Sequence, residues 1–456
     1  MKHNFLKILA LIMTVQFFPA CESNLEIEPF TALDGSVGFQ TRQDVDAALL
    51  GCYSSIQSAN YYGLRYWAFG DLYTGTLTHT GTFPSFAQFA NRNLLANNVE
   101  LNNMWNTIYA GINRANNVIA SAPRVQDPAF NVDNAVGEAR LLRAFHYFNL
   151  LAVFGGSPTG FNQNGLGLPI FITPTLSADD AAPRPRVSEA EVWTQILADL
   201  NFAIDNLNEN NGIGRANKQV ANALKARMHL VRREYAEAAA AAESVINSGR
   251  FSLLPGDSYA NIFLTKNSSE TIWELQFDVN NTNAIAFFYY PTAFGGRNEI
   301  TSSAELNDLH EEGDLRQETN VTTAAPTNKT LKYTRVAGED NVQIIRLAEM
   351  YLIRAEALAW LSKDAGDINL ALDALNVIRN RAGLPDFEST DADQVIAATL
   401  RERVIEFAHE GHRWLDVRRT GRFSDLGITE EFRVLWPIPE REINTAGGVI
   451  EQNPGY

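Results

Sequence analysis

Residues Leu400–Arg419, LRERVIEFAHEGHRWLDVRR, decide how the chain is read. At helical spacing Leu400, Val404, Phe407, Ala408, Gly411 and Leu415 form one apolar stripe. Beside it stand Arg403, Glu406, Glu410, Arg413 and Asp416. On one continuous helix, Arg403–Glu406, Glu410–Arg413 and Arg413–Asp416 attract, each pair worth about 0.2–0.5 kcal/mol. Gly411 costs roughly 1 kcal/mol relative to Ala in mid-helix. Either a neighbour approaches the backbone there, or the helix breaks and restarts. The pattern is that of an amphipathic scaffold helix. His409 and His412 are three apart and do not make the His-Glu-x-x-His zinc pattern.

Helical periodicity continues upstream. Asp44–Ala59, Leu101–Ala120 and Val132–Phe154 read as helices, the last stopped by Gly155-Gly156. Ser188-Glu189-Ala190-Glu191 is a capping box opening Glu189–Leu207. Asn217–Arg233 with Tyr235–Ser248, and Val342–Leu361 with Asn369–Arg381, read as two helical hairpins. Their seams carry small residues: Ala221, Ala223 and Ala226 against Ala236, Ala239 and Ala242, then Ala355 and Ala357 against Ala371 and Ala374. A lone hairpin cannot bury its apolar face, so such units stack as tetratricopeptide-like repeats. The expected fold is mainly α, a superhelical scaffold of these hairpins.

Two long stretches break the pattern. Residues 60–98 hold Tyr61, Tyr62, Tyr66, Trp67, Phe69, Tyr73, Phe83, Phe86 and Phe89. Residues 251–332 hold the alternating run Thr271–Val279, which reads as a strand, and Phe287–Gly296, FFYYPTAFGG. Loops this long are functional or disordered, and their aromatic content excludes a solvated linker.

The first twenty residues differ from the body. Lys2, His3 and Lys7 precede an apolar run, Ile8–Phe18, and then Pro19-Ala20-Cys21. That is a secretory leader, too short to span a bilayer. Cys21 after Ala20 suggests a bacterial lipoprotein with lipid on Cys21, although Phe18 and Pro19 depart from the usual lipobox. The alternative is a secreted chain cut nearby. Residues 22–30 read as a tether. The remaining divisions are a helical region at 31–250, an irregular region at 251–332 and a second helical region at 333–456. Cys52, the only other cysteine, reads as a small core residue.

A net charge of −16 with no basic run argues against nucleic acid as a partner. Asp179/Asp180 and Glu311/Glu312 are sequence neighbours in polar turns. Glycoside cleavage needs two carboxylates flanking one bond from different parts of a fold. No Gly-x-Ser-x-Gly elbow, phosphate loop, metal triad or EF-hand spacing occurs. No catalytic residue, metal or cofactor is therefore expected.

Several motifs together resemble the SusD/RagB family. They are Glu138–Phe148 followed by Phe154-Gly155 and Pro158; Tyr351–Ala357; Leu375–Gly383; Arg403, Glu406, Phe407, Glu410, Gly411, Arg413, Asp416, Arg418 and Arg419; Trp436–Pro439, Glu442 and Gln452–Tyr456. The resemblance implies four tetratricopeptide-like units and a non-catalytic role. It implies an outer-membrane lipoprotein that holds oligosaccharide or polysaccharide and hands it to a SusC-like TonB-dependent transporter. Arg140, Arg143, Arg354, Glu356, Arg379 and Arg381 read as buried ion pairs or caps.

A sugar needs flat aromatic platforms and a few fixed polar groups. The two aromatic stretches supply both. The candidates are Trp67, Asp71, Tyr73, Phe83 and Phe86 in the first, and Tyr289, Tyr290, Phe294 and Arg297 in the second. Asp71 could equally cap Thr74–Thr76. Peptide cargo, a glycoside hydrolase or lyase, and a structural adhesin are the alternatives.

Overall fold

The computed structural model describes residues 39–157, 161–364 and 366–456. The leader, Cys21 and residues 22–30 lie outside the described residues, as does Pro158.

The expected helical scaffold is present. Arg42–Gln57, Val99–Ser121, Val132–Phe154 and Glu189–Asn206 pack side by side. Lys218–Val231 and Tyr235–Ile246 follow as a hairpin, then Leu347–Ser362, Ile368–Arg381 and Ala392–Glu406. Val132–Phe154 is buried on nearly every face, because helices flank it on several sides. Ser188 and Glu191 form the capping box read from the sequence. Cys52 is buried in the core. The hairpin seams hold Ala221, Ala223, Ala226, Ala239, Ala242, Ala355, Ala357, Ala371 and Ala374, all buried. Ala236 is instead exposed and Ala238 takes the inward place.

Two expected helices are corrected. Val342–Arg346 is a strand, antiparallel to Thr271–Leu275, with the helix starting only at Leu347. All five residues of Val342–Arg346 are buried, and Val342, Ile344 and Ile345 are β-branched, which suits a strand covered on both faces. Leu400–Arg419 is not one helix. Ala392–Glu406 ends, a turn intervenes, and His412–Thr420 restarts. Gly411 sits at φ +77°, and a Cβ there would overlap the Trp67 side chain. Both readings of this glycine therefore hold.

The break redirects the charges. None of the three expected i,i+3 pairs forms. Glu406 is fully buried and meets Arg346 at 2.8 Å, Arg381 at 2.6 Å and Arg316 at 3.1 Å. Arg346 also grips Glu410 at 2.9 Å and Glu270 at 2.7 Å, and Lys332 reaches Glu410 at 2.8 Å. Arg316 adds Asp314 and Glu402, and Glu402 reaches Arg379. Five cations (Arg316, Lys332, Arg346, Arg379, Arg381) thus face five buried carboxylates (Glu270, Asp314, Glu402, Glu406, Glu410), and the partly exposed Glu311 joins them at Arg379. Arg403 pairs with Asp416 across the turn at 2.8 Å. Arg413, its side chain mostly covered, reaches the exposed Glu305 at 3.0 Å. The other expected ion pairs are Arg143–Asp199 and Glu356–Arg419, both buried, and Arg354–Glu243 at the surface. Arg140 lies over the Phe202 ring and 3.9 Å from Asp199. Glu311, expected to be solvated, pairs with Arg379.

Candidate carbohydrate-binding site

A short strand pair joins the two aromatic stretches. Leu77–His79 runs antiparallel to Ile300–Ser302, with Thr78 opposite Thr301. Neither stretch is irregular throughout. Arg65–Thr74 and Pro84–Ala90 are helices in the first, and Ile285–Tyr289 is a helical turn in the second.

Glu299, buried at the end of this strand pair, fixes the loop opposite. Its carboxylate accepts from the Thr82 and Phe83 backbone amides at 3.0 and 3.2 Å, and from Arg297 Nε at 3.0 Å. His79 lies 3.3 Å away. Burial pushes the Glu299 carboxyl up, but the Phe83 amide, Arg297, His79 and the Thr82 amide together hold it below its ordinary value. The carboxylate comes so close to Gly81 that any Cβ there would overlap it. The second loop folds back on itself: the amides of Arg297, Asn298 and Glu299 donate to the carbonyls of Phe287, Tyr290 and Phe288.

The expected site residues separate into two groups. Trp67 is 1% exposed and stacks between Tyr289 (centroids 6.2 Å apart) and Tyr333 (5.6 Å). Tyr73 is buried edge-on to Trp414 and donates to the Arg433 carbonyl at 2.7 Å. Phe86 stacks on Phe288 inside the core. Tyr289 donates its hydroxyl to His409 Nδ1 at 2.7 Å, while His409 Nε2 donates to the Asn320 carbonyl at 2.8 Å. That tautomer is neutral, and burial depresses the His409 pKa to about 3. Tyr290 is buried and donates to the Thr330 carbonyl. Trp67, Tyr73, Phe86, Tyr289 and Tyr290 thus present no open ring face for a sugar. The expectation is corrected for them: their rings fill the space between the helical scaffold and the loops.

Asp71 is corrected likewise. It is buried, and its side chain accepts from the Gly411 amide at 3.3 Å. Thr74 and Thr76 donate to its backbone carbonyl, not its carboxylate. Burial raises the Asp71 pKa to about 7, with the nearby Glu410 charge adding to it. Its folded pKa therefore exceeds the ordinary 3.8, so the fold holds a proton that the unfolded chain has released. Wild-type stability from this group is greatest below about pH 4 and falls towards pH 7, by roughly 1.4 kcal/mol per unit. Asp71→Asn should remove that slope. Denaturation at pH 5 and pH 8 checks it: the variant should gain on the wild type at pH 8. An equal difference at both values would mean that Asp71 ionises in the fold as an ordinary carboxyl.

Phe83, Phe294 and Arg297 stay at the surface. Phe294 is 50% exposed, and Phe287, in the same loop but not among the expected residues, is 38% exposed. The Arg297 guanidinium lies 4.1 Å over the half-buried Phe83 ring. Beneath them Phe288 links Phe83 (6.1 Å) and Phe287 (5.6 Å) to the buried Phe86 (5.6 Å). Asn298 and Thr301 beside the strand pair hold the Lys329 ammonium at 2.7 and 3.1 Å. The patch therefore combines solvent-facing rings with amide, hydroxyl and guanidinium groups fixed by a buried framework. Among the described residues no cluster of His, Cys, Asp and Glu is arranged to hold a metal ion.

Residues 316–427 match the family model described as the SusD family, and residues 36–230 match one described as starch-binding, associating with the outer membrane. The chain belongs to the SusD family. A SusD-like protein of Formosa agariphila is 26% identical, the match covering 98% of both chains. One from Bacteroides ovatus is 25% identical over 94% of this chain and 85% of its own length. A solved SusD superfamily protein from Bacteroides vulgatus superposes with a TM-score of 0.79 at 26% identity, covering 92% of this chain and all of the other. A laminarin-binding SusD-like protein superposes at 0.75 and 24% identity, covering 92% of this chain and all of its own. The SusD-like scaffold is thus seen from both sequence and structure, and the family is one of carbohydrate-binding proteins.

Proposed function

We propose that this SusD-like protein captures oligosaccharide on the patch formed by Phe83, Phe287, Phe294 and Arg297. It is anchored in the outer membrane through lipid on Cys21 and passes its cargo, uncut, to a SusC-like TonB-dependent transporter. One observation carries the reading. The strand pair and Glu299 bring both aromatic stretches to one patch, where Phe294 and Phe287 remain exposed while their neighbours are buried. A folded protein gains little by leaving two phenylalanines in water on an ordered loop; apolar C–H faces of a sugar ring would cover them. The starch-binding description of the N-terminal match and the laminarin-binding neighbour support a glycan as cargo.

Delivery requires release, so binding is expected in the micromolar to millimolar range, about 4–8 kcal/mol. The rings supply stacking, and Arg297, Asn298 and the hydroxyls of Thr80 and Thr82 supply hydrogen bonds. No group on the patch is placed to cleave a glycosidic bond. Glu299, its buried carboxylate, is already committed to two amides and Arg297.

Hydrogen exchange on the protein with and without maltoheptaose or laminarihexaose tests the location. Amides at 79–83 and 287–299 should gain protection, and chromatography should recover the oligosaccharide intact. Unchanged exchange in both segments with either sugar bound would place the site elsewhere. Shortened products would make the protein a hydrolase.

A further inference from the structure

A groove of about 430 Å³ lies between the Val99–Ser121 helix, the loop at 169–184 and the C-terminal segment at 442–450. Its residues belong to neither aromatic stretch, and the patch above shares none of them. The volume falls in the range, roughly 300–1,000 Å³, of small-ligand pockets. By contrast, two other hollows, lined by Phe148 and Leu415 among others, measure about 40 Å³ each and have room only for water.

The groove has a fixed wall. The Phe171 amide donates to the Tyr147 hydroxyl at 2.7 Å, and Asn116 donates to the Phe171 carbonyl at 3.0 Å. Tyr109 donates to the Pro169 carbonyl at 2.9 Å, and Asn113 accepts from the Thr175 amide at 2.8 Å. A loop tied at four points to two helices loses little further freedom when a ligand binds.

Its chemistry is mixed. Trp105, Tyr109 and Phe171 form a run of rings, 4.8 Å and then 6.0 Å between centroids. Arg184 lies 4.6 Å over Phe171. Glu442, half-buried, stands beside Trp105; burial pushes its carboxyl up, against the Arg441 charge and a hydrogen bond from Trp105. The exposed Asn106 side chain makes no hydrogen bond to any described residue, and Asn113 leaves its amide N–H groups uncommitted. Rings with amides, one guanidinium and one carboxylate match the alternating C–H and hydroxyl surface of a pyranose. A purely hydrocarbon ligand would leave these amides unpaired.

We infer that this groove is a second saccharide site, separate from the Phe287/Phe294 patch, that holds a short segment of a neutral oligosaccharide. Taking the ligand class from the patch reading, it rests on that reading for chemistry but not for position.

Calorimetry with maltoheptaose and laminarihexaose separates the two. Ala181, exposed on the groove wall, can be replaced without removing any contact. Ala181→Trp should fill the groove, and Phe171→Ala should remove a ring. The double variant Phe287→Ala/Phe294→Ala should keep residual binding, and adding Ala181→Trp or Phe171→Ala should weaken that residue at least tenfold. Thermal denaturation of each variant confirms that it is folded. If the double variant binds nothing while the wild type binds, the groove inference fails and the patch stands. If the double variant binds as the wild type and Ala181→Trp alone abolishes binding, the groove stands and the patch reading fails. No binding of either sugar to the wild type overturns both.

Discussion

Replacing Glu406 with alanine is expected to destabilise the fold by about 3–5 kcal/mol, the cost of breaking a buried ion pair from one side. Glu406 is fully buried and is the shared partner of Arg316, Arg346 and Arg381. Burial alone would raise its carboxyl, but those three guanidiniums and Lys332 hold it well below the usual carboxylate range. Removing it leaves the buried Arg316, Arg346 and Arg381 each short of one carboxylate partner. Glu410→Ala should act in the same direction, since Arg346 and Lys332 lose a partner. Arg413→Ala is the contrast. Its partner Glu305 is exposed, and such pairs contribute about 0–1 kcal/mol. Urea denaturation of the three variants checks the order. A Glu406→Ala protein as stable as Arg413→Ala would mean that the network does not hold the scaffold together.

Trp67→Ala is expected to cost a similar amount, about 3–5 kcal/mol, through the cavity left between Tyr289 and Tyr333. The Trp67 Cβ and backbone that lie against Gly411 are kept in the alanine variant, so the loss comes from the ring alone. Equilibrium denaturation should show the loss directly. A Trp67→Ala protein with wild-type stability that no longer binds sugar would return Trp67 to the binding surface.

These two residues show what the sequence could and could not disclose. Local signals were legible. Val132–Phe154 ends where Gly155 follows, Ser188 and Glu191 cap as read, and the alanine seams pack with one residue exchanged. Such features depend on residues a few positions apart. The charge alternation of Leu400–Arg419 misled because its partners come from Arg316, Lys332, Arg346 and Arg381, outside that stretch. A surface helix and a buried network carry the same letters at the same spacing.

The aromatic stretches posed the same difficulty. A phenylalanine reads alike in a core and on a platform, and only the packing of distant segments separates Phe86 from Phe294. Phe287 could have been found. In the turn Ile285–Tyr289 the buried residues Ile285, Ala286 and Tyr289 share one face, which leaves Phe287 on the other. Glu299 carries no local signature, since its role lies in bonds to a loop more than two hundred residues earlier.

We propose that a half-exposed aromatic patch, not the buried aromatic core, holds the sugar. Calorimetric titration of Phe294→Ala against the wild type, with a melt of each sample, tests it most directly. Truncating an exposed ring costs little stability, yet anchors of this kind carry most of the binding energy. Phe294→Ala should melt with the wild type and bind the oligosaccharide at least tenfold more weakly, about 1.4 kcal/mol. Wild-type affinity in a folded Phe294→Ala protein would rule out the exposed patch as the sugar-binding surface.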